Sequence, residues 1–379
     1  MTRPSYLRRF AYLAAALALF GAAACSDDDD DDASGDEAAQ TDETSGDGDG
    51  GGDGVLAEVL DRGTLNCGVN SEVPGFGVET EGGEFAGFDI DYCKALAAAV
   101  LGDPEAVEYV PLTPEQRFPS LTSGEVDVLI RNTTWTSTRD GNDGASFTTT
   151  TFYDGQSMMV PSDSGITSID DLAGATICLT AGTTTEQNLA DRMAGIDHTP
   201  QTFEENPQVQ DAFLAGQCDA WTSDQSQLAG IRSAWPEDSG GPEALTILDE
   251  IFSKEPLGPA VTDGDSQWYD VVNWVVLATI EAEELGVTQA NVTDMLEDDD
   301  PAVRRFLGQP IDVEGEEAVV DHGFGIEPDF TVAVIEAVGN YGEIYDRNVG
   351  PDSPLQLNRE GTANALWTDG GLHYAPPFR

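Results

Sequence analysis

Short apolar runs alternate with helical patterns along most of this chain, and that alternation limits the possible folds more than any other feature. Thr64–Val69, Val107–Val110 and Asp127–Ile130 read as strands. Between them, Asp91–Leu101 reads as a helix with Cys93, Leu96, Ala97 and Val100 on one face, and Pro114–Ser123 as a helix opened by its proline. Val55–Asp61 is a short helix stopped by Gly63, and the GVNSEVPGFG stretch and Glu84–Ile90 read as loop and turn. Strands joined through helices need crossover connections, so the fold class is α/β with a parallel sheet. A second unit of the same kind follows. Ile169–Leu172 is a short helix, Ala175–Leu179 a strand, and a helix runs on through Met193. Val209–Leu214, Cys218–Thr222 and Asp224–Ile231 then read as helix, strand and helix. Phe152–Val160 and Phe252–Val261 read as extended segments crossing between the units, and Gln267–Glu284 as a long helix. Pro301–Arg379 is irregular and aromatic, with no periodicity that assigns it.

In open sheets of this class, ligands sit beyond the carboxyl ends of the strands. The loop after the third strand reads IRNTTWTSTRD (Ile130–Asp140), with Asn132, Thr134 and Arg139 among its hydroxyls and amide. An arginine presents a planar fork that grips a carboxylate with two hydrogen bonds, and hydroxyls complete such a shell. The plain alternative is a polar loop with a surface arginine. Thr183 and Thr184 open a helix in a Gly-Thr-Thr turn, which is either an ordinary cap or an anion seat of unpaired N–H groups. Asp224 stands just past a strand end, either as a helix cap or as a carboxylate aimed at a cation.

The ends carry different information. Residues 1–24 have a basic start (Arg3, Arg8, Arg9) and an apolar stretch too short to span a bilayer comfortably. Small residues then lead to Cys25, a pattern that resembles a lipoprotein signal peptide with Cys25 lipidated; cleavage near Ala24 during ordinary secretion is the alternative. Residues 25–54 are mostly Asp, Gly, Ser and Glu, too polar to offset their ordering entropy, and read as a disordered acidic tether. With 16 basic against 71 acidic residues, the formal net charge is −55, which disfavours nucleic acid as a partner. An anionic ligand group in such a field needs a dedicated cation, and Arg139 is a candidate. Cys67, Cys93, Cys178 and Cys218 form an even set in an exported chain, which suggests disulfides without choosing the pairing. No Cys/His cluster supports a metal site or a Cys–His nucleophile.

The segments GTLNCGVN, GFDIDYCKALAAAVLGD, RFPSLTSGEVDVLIRNTTWTSTRD, ICLTAGTTTEQNLAD, GQCDAWTSDQSQL, EPLGPAVTDGD and LWTDGGLHYAPPFR resemble the periplasmic amino-acid-binding proteins of ABC transporters, in their general L-amino-acid-binding branch. The resemblance implies a two-lobed Venus-flytrap periplasmic-binding fold with two crossing hinge strands. The lobes would be 55–156 with 259–379, and 157–258. It implies capture of free L-amino acids of broad specificity outside the membrane and their delivery to an ABC permease. Arg139 and Thr134 would meet the ligand α-carboxylate, with Asn132 facing the ligand from the same lobe. Thr183 and Thr184 would meet the carboxylate from the other lobe, and Asp224 the α-ammonium. The lobe boundaries suggest the pairs Cys67–Cys93 and Cys178–Cys218. A lipid anchor at Cys25, a monomeric protein, no cofactor and no metal complete the expectation. Two positions depart from the pattern. Val73 stands where relatives place an aromatic over the ligand side chain, with Phe76 the nearby candidate, and Thr262 stands where a basic residue is expected. An enzyme on the same fold, a dehydratase, is the alternative; it needs a positioned acid–base pair.

Overall fold

The computed structural model describes residues 54–313 and 315–379. The expected signal peptide, Cys25 and the tether through residue 53 lie outside the described residues.

Two five-stranded sheets dominate, and they share one strand order. In the first sheet Leu65–Val69 lies between Val107–Pro111 and Val128–Leu129, all parallel, and Ala260–Thr262 then Ala145–Phe147 follow antiparallel. In the second, Thr176–Thr180 lies between Thr199–Phe203 and Ala220–Asp224, again parallel, with Gln156–Pro161 and Leu245–Ile247 antiparallel beyond them. Phe152–Asp154 and Glu255–Leu257 form a separate antiparallel pair that connects the two sheets. The expected crossings are therefore present, and each breaks into two strands rather than running through as one.

Period-two alternation places both faces of each sheet in a core. In the second sheet Met158, Val160, Ile177 and Leu179 enter one apolar cluster, while Met159, Cys178 and Trp221 enter another. In the first, Val128 and Ile130 face a large cluster and Leu129 a small one. Cys67 joins Cys93 with Cα atoms 6.2 Å apart, and Cys178 joins Cys218 at 5.8 Å, one bond beside each sheet.

The helix Phe88–Leu101 departs from the one-face expectation, since eleven of its fourteen residues are buried. Its second face is covered from within Pro301–Arg379, which periodicity left unassigned. There Phe330–Val338 and Tyr341–Asn348 are helices; the first packs along Phe88–Leu101, and both meet the long helix Ser266–Glu284. The region read as GVNSEVPGFG and its following turn contains a small three-stranded sheet, Glu72–Val73, Gly77–Glu79 and Phe85–Ala86. Gly87 has φ +140°, and a Cβ there would meet the Phe76 carbonyl oxygen at 2.2 Å, so this sheet closes against the helix start only with glycine. Among the described residues, no helix is long and apolar enough to cross a membrane.

Candidate functional site

A cleft opens where the carboxyl ends of both sheets' parallel strands face each other. Its lining includes Asn132, Thr134 and Arg139 from the first side and Thr183, Thr184 and Asp224 from the second. The structure therefore gathers six of the seven expected ligand residues.

The seventh, Phe76, is not brought there. It is 1% exposed, and its ring meets Phe88 and Phe152 at 5.9 and 5.1 Å. The short strand pair Val73–Gly77 turns the loop back on itself and drives both Val73 and Phe76 into the core.

Arg139 sits in the one-turn helix Ser137–Asn142, whose cap Thr136 accepts from its backbone N–H at 3.2 Å. The guanidinium donates to the Thr134 carbonyl at 2.8 Å and lies 5.5 Å from the Phe118 ring centre. Burial lowers its pKa, with Glu255 and Asp224 opposing. It is thus a buried cation held by a carbonyl and a ring face, and it forms no salt bridge with a described residue. Such a group favours an incoming carboxylate.

Two further arginines line the cleft. Arg117 donates to the carbonyls of Pro114 at 3.0 Å and, across the cleft, of Gly182 at 3.0 Å. Arg131 donates to the Leu112 carbonyl at 2.7 Å, and burial brings its pKa down to about 10. Sequence reading placed Arg117 inside a plain helix run and Arg131 in the loop Ile130–Asp140, and singled out neither. Only their burial, 3% and 6% exposed, marks them, and burial is a tertiary property.

Asp224 ends the strand Ala220–Asp224 and precedes the helix Gln225–Ser233, but its side chain makes no capping hydrogen bond. Burial pushes its pKa well above the carboxylate range; Asp154 and Glu255 push the same way, and Arg139 and Arg117 oppose them. An added cation beside Asp224 relieves that cost. Thr183 likewise leaves its helix uncapped, because its hydroxyl donates instead to the Thr180 carbonyl at 2.8 Å. The first-turn N–H groups of Thr184–Arg192 are then available to an anion.

Asn132 holds a left-handed backbone, φ +32°, a conformation asparagine tolerates better than most residues. Its N–H donates to buried Asp89 at 2.6 Å. Its amide bridges Asn70, at 3.1 Å, to Gln227 on the far side, at 3.2 Å. Behind the lining lies Glu255, 2% exposed, which sequence reading missed. Thr134 and Thr184 both donate their hydroxyls to it, at 2.6 and 2.9 Å. Among the described residues, no group of His, Cys, Asp or Glu is gathered so as to hold a metal ion.

Two α/β lobes joined by a paired crossing, with opposite charges converging in the cleft between them, define a solute-binding protein of the two-lobed extracytoplasmic class. The chain belongs to the bacterial extracellular solute-binding proteins, family 3, which residues 65–291 match. It is 47% identical over 327 residues to the general L-amino acid-binding periplasmic protein AapJ of Rhizobium johnstonii, covering 86% of this chain and 93% of that one. It is 45% identical over 328 residues to the glutamate/glutamine/aspartate/asparagine-binding protein BztA of Rhodobacter capsulatus, covering 86% and 93%. Among solved structures it resembles an ABC transporter periplasmic binding protein from Brucella ovis with glutathione bound, at 45% identity and TM-score 0.81, covering 86% of this chain and 99% of that one.

Proposed function

We propose that this protein captures free L-amino acids outside the cytoplasm and delivers them to an ABC permease. The observation that carries this reading is the pairing of Arg139 on one wall with Asp224 on the other, both buried and lining one cleft. A zwitterion answers both charges at once, so closure is favoured when one is bound. Arg139 and the helix N-terminus at Thr183–Thr184 take the α-carboxylate, Asp224 takes the α-ammonium, and Asn132 and Thr134 line the ligand's near side. The lobes are 55–156 with 259–379, and 157–258. The protein works as a monomer, anchored through lipidated Cys25, with broad specificity and no catalytic step. Glu255, the carboxylate a dehydratase reading lacked, lies behind the cleft lining and accepts hydrogen bonds from four side chains.

A second ligand size is favoured by one feature. The cleft continues past Arg131 into an open chamber that also reaches Glu72 and Glu205. By analogy with the glutathione-bound Brucella ovis relative, the second reading is a γ-linked peptide of the glutathione type spanning both chambers. A thermal-shift screen against the twenty amino acids and glutathione tests both readings. Stabilisation by several amino acids supports the first, stabilisation by glutathione alone selects the second, and a flat response to all of them sinks both.

A further inference from the structure

The Glu255 carboxylate is the meeting point of the hinge and both walls of the cleft. Its Oε2 accepts the hydroxyl of Thr134 at 2.6 Å and that of Thr184 at 2.9 Å. Its Oε1 accepts Asn188 Nδ2 at 2.7 Å and Ser253 Oγ at 2.6 Å. Glu255 stands on the crossing strand Glu255–Leu257, Thr134 on the first wall, and Thr184 with Asn188 on the helix of the second.

A hydroxyl carries one proton. Thr134 and Thr184 both give theirs to Glu255, so what they turn toward the cleft is lone pairs. As oriented, neither hydroxyl can donate to a ligand carboxylate, and both can accept from an ammonium. We propose that Glu255 is a specificity-determining residue that reads the ligand's ammonium, by fixing the Thr134 and Thr184 hydroxyls as acceptors beside Asp224. This rests on the amino-acid reading above and revises the expectation from the sequence that Thr134 and Thr184 meet the carboxylate. The carboxylate is met by arginine and backbone N–H groups, not by these two hydroxyls.

Replacing Glu255 with glutamine keeps the shape and changes the polarity. Glutamine offers one oxygen and one NH2 group. With Asn188 kept as the donor it is to Glu255, the oxygen serves Asn188 and Ser253, and the NH2 faces the two threonines. Their hydroxyls then rotate to accept from it, and their protons turn into the cleft.

The test compares L-glutamate with glutarate, the same diacid with hydrogen in place of the ammonium, by calorimetry on the purified full chain and on Glu255→Gln. Wild type prefers L-glutamate. In Glu255→Gln that preference falls by roughly tenfold or more, because a reader of positive charge has been lost. A purely structural Glu255 lowers both affinities by the same factor, and an unchanged ratio overturns the proposal. If Glu255→Gln lacks a cooperative melting transition, Thr184→Val, which keeps Glu255, decides instead. A narrowed ratio upholds the proposal there, and an unchanged one overturns it. If wild type binds neither L-glutamate nor any other amino acid, it is the amino-acid reading that fails.

Discussion

The two sheets share a strand order, yet the walls they present to the cleft differ. The first wall supplies the cations Arg117, Arg131 and Arg139; the second supplies Asp224 and the uncapped helix end at Thr183. Their support differs too. The first sheet lies between one large core thickened by the C-terminal helices and one small cluster, whereas the second lies between two small clusters. Common topology sets where a wall stands, and local side chains set its charge. Burying three guanidiniums costs desolvation, which hydrogen bonds to carbonyls and to the Thr133 hydroxyl, and the Phe118 ring face, offset in part.

Removing the key cation is the most direct way to break that contrast. Arg139→Ala should cost roughly 2–5 kcal/mol of amino-acid affinity, since a ligand carboxylate is then buried unpaired. Calorimetry showing wild-type affinity would remove Arg139 from the site.

The disulfides probe the unequal cores. Each closes a long loop, with sequence separations of 26 and 40 residues, and loss of such a crosslink is worth about 3–4 kcal/mol by chain entropy. Paired serine variants of Cys178 and Cys218 should lower the melting temperature more than those of Cys67 and Cys93, because the second sheet has less core in reserve. Calorimetric melting that ranks them the other way contradicts the contrast in support.

His373 tests the jacket behind the first sheet. It is 1% exposed, its ring lies 4.2 Å from that of Tyr341, and burial takes its pKa from 6.5 down to about 3, with Arg359 acting the same way. The folded form resists a proton that the unfolded chain accepts below pH 6.5. The contribution is therefore intact above that value and is lost as pH falls from 6.5 toward 3. The loss reaches about 2 kcal/mol at pH 5. His373→Phe should flatten stability against wild type across that window in urea titrations. Parallel pH curves for the two proteins would show that the ring does not carry this cost.

Much of this was legible along the chain. The strands and helices around Arg139, Thr184 and Asp224 stand out because each buries alternating or helical apolar faces, and their polar residues fall at strand ends. The failures have physical causes. Thr199–Phe203 is a largely exposed edge strand, so it carries no apolar alternation. Phe330–Val338 is rich in β-branched residues and apolar almost throughout, so periodicity cannot type it. Val73 and Phe76 were near the right loop in sequence, but a two-residue strand turned them inward.

Residue types and their order were enough to set the α/β class, the double unit, the crossing segments and one partner on each wall. Pattern expresses local propensity and one-sided burial, and these need no distant contact. The tertiary structure alone decided which charges are buried. Arg117 reaches Gly182 across the cleft, and Glu255 reaches Thr134, Thr184 and Asn188 from the hinge. Those bonds join residues 65 to 121 positions apart, so no sequence window contains both ends. A hydrogen bond that fixes which way a hydroxyl points exists only once the chain has closed on itself.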